Sequence, residues 1–443
     1  MNPTPVKKLS TFQIIISGFL GAILVGALIL MLPISSSSGE WTPFSDALFT
    51  STSAICVTGL IVHDTATYWS GFGQAAILMM IQIGGLGIVS VAAFLSIVSG
   101  RRIGLLQRNL LQDSISAPQI GGIVRLTRFI FRTAFLTELA GALIMLPTFL
   151  KAFGKAGIWK AFFHSISAYC NAGFDVMGDV SGEYSSLTYF AGSPAIVIPV
   201  CMLILAGGFG FLTWDDVLTH RFEFKKYRMQ SKAIFATNAV LIAVPAVLLF
   251  FTDYSGQPTA ERFCLSLFQA ITPRTAGFNT ADLSALSGAC RTIMIILMFI
   301  GGSPGSTAGG MKTTTVAVLY ANVRSVIKRR KSVQMFGRRV EDETVRSAAA
   351  LLMIYMLLAF GGAVAISISE QLPIKDCIFE TASAIGTVGL TLGITPSLGT
   401  FPRVILIVLM FFGRVGGLTL LYAALSNTGA EVSQSPVEKI SVG

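Results

Sequence analysis

Four short segments of this 443-residue chain share a glycine at the same place in an otherwise small or hydroxyl-bearing stretch. The segments are Cys56-Val57-Thr58-Gly59, Cys170-Asn171-Ala172-Gly173, Arg274-Thr275-Ala276-Gly277 and Gly386-Thr387-Val388-Gly389. A glycine permits backbone conformations closed to other residues and removes the Cβ that would block close approach. Four such strands around one axis would direct carbonyl oxygens inward, where they could replace the hydration shell of a cation. The chemistry indicated is therefore the selection of hard monovalent cations.

Other chemistries fit the residues poorly. No acidic residue lies within the four segments, so a carboxylate ring of the divalent-channel type is not predicted. The six cysteines form no CxxC pair and only three histidines are present, which indicates neither a metal site nor a disulfide framework. Residues 305–313 resemble a phosphate-binding loop, but Met311 stands where that motif requires lysine. With no nucleophile or metal set visible, we predict that the chain is not an enzyme and carries no cofactor.

The elements that must position the four segments are expected to lie in a membrane. The chain is 53% hydrophobic and only 12% charged, whereas soluble domains carry about 25% charge. Eight charge-poor stretches are long enough to cross about 30 Å of hydrocarbon as helices. They are residues 12–32, 72–98, 133–150, 190–214, 233–252, 292–311, 347–369 and 404–425. We predict an all-α integral membrane protein.

The positive charges fall mainly on one side of these stretches. Of the 32 Lys and Arg residues, 23 precede the first stretch, follow the second, fourth or sixth, or lie in the C-terminal tail. Cytoplasmic loops carry an excess of Lys and Arg, so both termini of this multi-pass protein are expected on the cytoplasmic side of the cytoplasmic membrane. The net charge of +10 is therefore explained by cytoplasmic loops. Because the charge needs no nucleic acid partner to explain it, none is predicted.

The chain repeats itself four times. Each pair of stretches encloses an apolar segment of about ten residues, too short to cross, as is typical of a re-entrant helix. The four glycines follow one another at intervals of 114, 104 and 112 residues, and self-similarity at such a period defines the fold. We predict four pseudo-repeats of transmembrane helix, re-entrant pore helix with extended filter, and transmembrane helix around one central pore. The repeats are residues 12–99, 100–214, 215–327 and 328–425, with cytoplasmic tails at 1–11 and 426–443.

These strings also carry a resemblance to a known family. Residues 167–174, 272–279 and 301–312 are the most specific, and the chain resembles the Trk/Ktr/HKT potassium transporter family over residues 12–425, closest to KtrB-type membrane subunits. In that family, filters with glycine in all four repeats go with potassium preference. The resemblance implies potassium as the transported ion, a homodimer with one pore per subunit, and a cytoplasmic ring of KtrA-like nucleotide-binding regulatory subunits. Sodium is retained as a candidate activator.

A glycine-rich stretch interrupts the sixth predicted span. It consists of Gly301, Gly302, Ser303, Pro304, Gly305, Ser306, Thr307, Ala308, Gly309 and Gly310. This composition is incompatible with a continuous helix. The resembled family has its intramembrane gating loop here, so we assign the gate to this stretch together with Lys312 and Arg414. A fixed kink that supports packing is the alternative.

Two arginines within the predicted membrane region require partners. A central intramembrane arginine costs about 2.5 kcal/mol or more without one. For Arg414 the candidates are the free carbonyls of the broken span or the carboxylate of Glu138. Arg274 is expected to point behind the filter, with Glu380 as a candidate partner. Asn171 and the hydroxyls of Thr58, Thr275 and Thr387 either line the entrance or brace the strands.

The expected function is channel-like potassium uptake, with carbonyl selection at the four segments and gating by the glycine-rich loop. An alternating-access cation-coupled symporter, with its site at broken helices, is the alternative. Inverted two-fold repeats would favour the symporter, whereas four repeats that all start from the same side favour a pore.

Overall fold

The computed structural model describes residues 10–100, 103–115 and 122–417, and nearly all of its regular structure is helical. The predicted N-terminal tail, apart from its last two residues, lies outside the described residues. So do the predicted C-terminal tail and the end of the eighth span.

The helices follow one another in four similar sets. The first set contains α1 (Thr11–Met31), α2 (Phe44–Ile55), α3 (Gly71–Leu86) and α4 (Ile88–Val98). A connecting helix α5 (Leu105–Ile115) leads to α6 (Ile123–Phe153), α7 (Ala156–Tyr169), the short α8 (Gly178–Ser181), α9 (Pro194–Gly208) and α10 (Phe211–His220). The third set contains α11 (Met229–Phe251), α12 (Thr259–Ile271), α13 (Gly288–Phe299) and α14 (Thr313–Ile327). An antiparallel hairpin of β1 (Gln334–Met335) and β2 (Arg338–Arg339) precedes α15 (Asp342–Glu370), α16 (Ile374–Ile385) and α17 (Thr400–Val415).

The long first helix of each set has a face for the protein and a face for lipid. The helices α1, α6, α11 and α15 are 21 to 31 residues long and apolar enough to cross a membrane. In α1, Ile15, Phe19 and Ile23 are buried at four-residue spacing. On the other face, the side chains of Leu24 and Leu28 are half exposed or more. Exposed apolar side chains along such a helix are stable in contact with the hydrocarbon of a bilayer. The chain is a multi-pass membrane protein.

The second helix of each set is short and enclosed by protein. The helices α2, α7, α12 and α16 have 12 to 14 residues, fewer than the roughly 20 needed to cross a bilayer. Residues 49–55 of α2 are buried without a break, so no face of its C-terminal half meets lipid. These are the predicted re-entrant helices.

The last part of the first and second sets differs from the prediction. Residues 72–98 and 190–214 were expected to form continuous spans, but α3 meets α4 at 96° and α9 meets α10 at 98°. Gly87 and Gly210 lie at the two bends with φ of +85° and +86°, a region that side chains disfavour. The glycine clusters therefore end helices instead of packing within them. The predicted boundary at residue 214 falls inside α10.

The third and fourth sets are interrupted at corresponding places. Helix α13 ends at Phe299 and helix α14 begins at Thr313, so the expected break of the sixth span is present. Helix α17 ends at Val415, next to Gly416 with a φ of +93°. In all four sets the helix that follows the filter segment thus stops at its glycine cluster.

Candidate functional site

The four glycine-bearing segments meet at one place. Each follows directly on α2, α7, α12 or α16. A Cβ built on Gly59 would lie 3.2 Å from the Cα of Gly173, and one on Gly173 would lie 2.8 Å from the Cα of Gly277. A Cβ on Gly277 would lie 3.3 Å from the Cα of Gly389, and one on Gly389 would lie 2.9 Å from the Cα of Gly59. Each of the four glycines thus contacts the next, and together they form a closed ring. None of the four positions has room for a side chain.

The backbone of each segment alternates in conformation. The four glycines have φ of +91°, +70°, +77° and +93°. The residue two places earlier is also left-handed in every repeat: Val57, Asn171, Thr275 and Thr387 have φ between +49° and +68°. A strand in which left-handed residues alternate with residues of negative φ turns successive carbonyls toward the same side. The same two left-handed positions recur in all four segments, so the four share one backbone conformation there.

Hydroxyl groups on the re-entrant helices fix the first and fourth segments. The backbone N–H of Gly59 donates to Ser53 Oγ at 3.0 Å. In the fourth repeat, the N–H of Gly389 donates to Ser383 Oγ at 3.1 Å. Both serines lie six residues before their glycine and are fully buried. In these two repeats the glycine-bearing segment is therefore held to its own re-entrant helix.

In the second and third segments the side-chain hydroxyl donates the hydrogen bond instead of accepting it. Ser167 Oγ donates to the carbonyl of Phe174 at 2.7 Å, and Thr272 Oγ1 donates to that of Phe278 at 2.6 Å. These four bracing hydroxyls were not singled out from the sequence. A serine or threonine recurs five or six residues before each glycine, and this spacing could have identified them.

Several oxygens beside the ring are buried and lack a hydrogen-bond partner within the described part of the chain. They are Thr58 Oγ1, Asn171 Oδ1, Thr275 Oγ1 and Thr387 Oγ1. Burying an unpaired polar group costs free energy, so these oxygens favour a ligand that can use them. Two roles were expected, lining the entrance or bracing the strands. The hydroxyls of Thr58, Thr275 and Thr387 make no bracing hydrogen bond within the described residues.

The glycine-rich loop between Phe299 and Thr313 packs against the helix-side ends of the filter segments. Thr307 Oγ1 donates to the carbonyl of Tyr169 at 2.9 Å and accepts from Asn171 Nδ2 at 3.0 Å. A Cβ built on Gly310 would lie 2.7 Å from the carbonyl oxygen of Gly386. The loop thus touches both the second and the fourth filter segments.

Arg414 connects this loop to another broken helix. Its guanidinium donates to the carbonyl of Thr307 in the loop, to that of Gly84, and to that of Gly85 at 3.1 Å. Its partners are therefore backbone carbonyls: that of Thr307 in the broken sixth span, as one alternative expected, and those of Gly84 and Gly85 at the end of α3. The other alternative is wrong, since the carboxylate of Glu138 accepts from Gln82 Nε2 at 3.0 and 3.2 Å instead.

The chain matches known proteins over nearly its whole length. The profile of the TrkH family, described as a cation transport protein, matches residues 2–429. The chain belongs to the TrkH family. Among its TrkH-family relatives, the potassium/sodium uptake protein NtpJ of Enterococcus hirae is 36% identical, over 99% of this chain and 98% of the relative. The Ktr system potassium uptake protein B of Bacillus subtilis is 37% identical, over 93% of this chain and 92% of the relative.

A solved member shares the fold of this TrkH-family chain. The crystal structure of the potassium transporter TrkH from Vibrio parahaemolyticus matches with a TM-score of 0.73 over 95% of this chain and 86% of that one, at 19% identity. The resemblance stated from the sequence and the predicted all-α membrane fold are both confirmed. The relatives are membrane cation transporters, not enzymes.

In this TrkH-family chain Arg274 points away from the ring, behind the third segment. It is buried and donates to the carbonyl of Gly301 at 3.2 Å, at the start of the loop. The candidate pairing with Glu380 is wrong, because that carboxylate accepts from Thr391, from Thr395 at 2.7 Å and from the N–H of Leu392 at 3.1 Å. Arg274 thus supports the junction between filter and loop.

A cavity of about 300 Å³ is lined by part of the glycine-rich loop and by residues outside the four glycine-bearing segments. Asp113 at the end of α5 and the loop residues Gly305 and Lys312 are among its lining residues, as is Arg414. Lys312 Nζ donates to the carbonyl of Ala308 at 2.7 Å, within the loop itself. The loop therefore lines this cavity together with two cationic side chains, Lys312 and Arg414.

Proposed function

We propose that this TrkH-family protein takes up potassium across the cytoplasmic membrane by conducting it through the ring of four filter segments. The observation that carries the proposal is the closed ring of Gly59, Gly173, Gly277 and Gly389. Carbonyl oxygens directed into such a ring can substitute for the water around a potassium ion. Two relatives that align over nearly the whole chain are named for potassium uptake, one of them for sodium as well.

The re-entrant helices add a favourable potential to the ring. The C-terminal ends of α2, α7, α12 and α16 all lead into filter segments, and each helix terminus carries roughly half a negative charge. The segments themselves hold no carboxylate. A cation is thus attracted by dipoles without being held by a full charge, which suits passage better than retention.

The unpaired oxygens support a further coordination position next to the loop. Asn171, Thr275 and Thr387 occupy the same place in three repeats, two residues before the glycine. Their side-chain oxygens are buried without partners among the residues described. A partly dehydrated cation at this level would satisfy them and remove the penalty of burial.

The loop of residues 301–310 is proposed as the gate. It contacts Asn171 and Gly386 of two segments and also lines the 300 Å³ cavity, and Arg414 and Lys312 beside it would repel a cation. The loop contains five glycines and is held to α9 by single backbone bonds, such as Ser303 N–H to the carbonyl of Gly208 at 2.9 Å. It can therefore move without unfolding a helix, which favours a gate over a fixed kink.

The remaining features of the proposal concern assembly and orientation. We infer a homodimer with one pore per subunit, cytoplasmic termini, and control by a ring of KtrA-like nucleotide-binding subunits, with sodium as an activator. Four repeats around one ring support conduction along a single axis over an alternating-access symporter.

The proposal is tested by complementation in cells that lack their own potassium uptake systems. The chain, co-expressed with a nucleotide-binding partner, is expected to restore growth at low potassium, and Gly389→Val is expected to abolish it. Gly21→Ala is the control, because a Cβ at Gly21 meets nothing within 4 Å. Absence of rescue by a chain that reaches the membrane in normal amount would contradict the proposal.

A further inference from the structure

Three arginines from two helices surround one cavity near the Arg-rich end of the membrane helices. Arg108 on α5 and Arg125 and Arg128 on α6 line a cavity of about 410 Å³. Gly122, which precedes α6, lines it too. Under the proposed orientation this cavity lies at the level of the cytoplasmic headgroups.

The positive charge of this cavity is not neutralised by the described protein. Within residues 10–100, 103–115 and 122–417, no ion pair joins an acid to any of the three guanidiniums, although Arg228 and Arg403 are both paired. The neighbouring residues 116–121 contain no acidic side chain. The closest acid along the chain, Asp113, lines the 300 Å³ cavity instead. Three like charges held together favour binding of an anion.

The start of α6 increases the same potential. The first N–H groups of a helix have no acceptor within the helix, and its N-terminus carries roughly half a positive charge. Here the first turn begins at Ile123, beside Arg125, and opens onto the cavity. Planar guanidiniums and free N–H groups together match the oxygens of a phosphate group.

An apolar groove begins one turn further along the same face of α6. Arg125, Phe129, Thr133 and Thr137 are four residues apart and so form one stripe on the helix. The last three line a cavity of about 760 Å³ between α6 and the α9–α10 pair. Ile144 lines its far part, about 22 Å from Phe129 at 1.5 Å per residue.

The groove opens toward the bilayer and suits a hydrocarbon chain. Among its lining residues Ile144, Met202 and Leu218 are about 60% exposed or more. One leaflet offers about 15 Å of hydrocarbon, which the length of the groove exceeds. A free phosphate or nucleotide would satisfy the arginines but leave the groove unfilled.

We propose that Arg108, Arg125 and Arg128 bind the phosphate of an anionic phospholipid whose acyl chain lies in the groove between α6 and α9–α10. Basic pockets beside transmembrane helices are suited to anionic headgroups. The groove also borders the gate, since Phe209 and Trp214 in its wall flank Phe211, whose N–H donates to the carbonyl of Gly305 at 2.7 Å. A bound lipid would therefore contact the helix bend that supports the loop.

The test measures binding, so it does not depend on the proposed transport function. Purified full-length protein in neutral detergent is titrated with phosphatidylglycerol, with phosphatidylcholine of the same chains, or with inorganic phosphate alone. The unfolding temperature and the lipid retained in native mass spectrometry are recorded. A ligand that binds only the folded state raises the unfolding temperature. We expect a clear rise with phosphatidylglycerol, a much smaller one with phosphatidylcholine, and none with phosphate.

Charge-matched variants locate the site. Arg108→Gln, Arg125→Gln and Arg128→Gln in one chain should lower the affinity for phosphatidylglycerol at least tenfold. The control neutralises the exposed Arg329, Arg330 and Lys331 to Gln and should leave that affinity unchanged. If the triple variant does not fold, the three single variants should each weaken binding about threefold.

A groove-filling variant tests the acyl chain separately. Ala140 lines the groove, so Ala140→Trp should fill part of it. This variant should weaken the binding of long-chain phosphatidylglycerol but not the binding of a short-chain form. Equal binding by the arginine variant and its control would overturn the site. Phosphate alone giving the full shift would overturn the lipid as occupant.

Discussion

The side-chain amide of Asn171 donates a hydrogen bond of 3.0 Å to the hydroxyl of Thr307, 136 residues further along the chain. Asn171 belongs to the second filter segment, and Thr307 lies in the middle of the glycine-rich loop. The same hydroxyl donates to the carbonyl of Tyr169 at 2.9 Å. One threonine thus fastens the loop to the filter, and the loop moves away only by breaking both bonds.

Replacing Thr307 by valine should release the loop. Valine has nearly the same shape but lacks the hydroxyl and so loses both hydrogen bonds, each of which contributes about 1 kcal/mol net. We therefore expect Thr307→Val to raise potassium flux without the regulatory subunit roughly thirtyfold, measured as rubidium uptake into proteoliposomes. In the Asn171→Ala background the same change should have a smaller effect, since coupled residues are not additive. Fully additive effects would show that this link does not restrain the loop.

Arg414 should hold the same loop through the geometry of its guanidinium. Its two terminal nitrogens reach carbonyls on two different elements, the loop at Thr307 and the end of α3 at Gly84 and Gly85. Lysine keeps the charge but lacks the planar fork.

Flux without the regulator should therefore rise in Arg414→Lys and rise further in Arg414→Gln. Arg403→Lys serves as the control, because Arg403 pairs with Asp46 and does not contact the loop in the described structure. Wild-type flux in both Arg414 variants would show that Arg414 does not restrain the loop.

The serine brace should control selectivity separately from stability. Ser53 and Ser51 are both fully buried on α2, but Ser53 accepts from the N–H of Gly59 while Ser51 donates to the carbonyl of Ile23 at 2.7 Å. A buried group left without its partner costs about 1–3 kcal/mol. Both alanine variants should lower the unfolding temperature.

Only Ser53→Ala should also reduce the preference for potassium over sodium, since only it frees a filter strand. The measurement is sodium competition with rubidium uptake for each variant. The same loss of preference in Ser51→Ala would mean that general destabilisation, not the brace, sets selectivity.

The sequence predicts the repeated parts of this molecule well, for a physical reason. A glycine with no space for a Cβ and a short helix that ends inside the membrane both leave local marks at a fixed interval. Gly59 and Gly389 could therefore be placed in one ring from their intervals, without knowledge of the contacts between them. The broken sixth span was also predictable, because five glycines in ten residues exclude a continuous helix.

Features that depend on which neighbour a side chain meets were harder to predict. Glu380 was a candidate partner for Arg274, but in the structure hydroxyls on its own following loop occupy its carboxylate. The bends at Gly87 and Gly210 were missed because hydropathy continues through them, and composition alone does not report a positive φ. The bracing role of Ser53 depends on a distance to a backbone N–H that no local pattern contains.

The most direct test of the central claim replaces each ring glycine with serine and measures cation competition in proteoliposomes. A Cβ at Gly173 or Gly389 would lie within 3 Å of the next glycine in the ring, so the strands must move apart and the carbonyl oxygens with them. We predict that Gly59→Ser, Gly173→Ser, Gly277→Ser and Gly389→Ser each lower the potassium-to-sodium preference, while Gly21→Ala leaves it unchanged. Wild-type preference in all four serine variants would contradict the account.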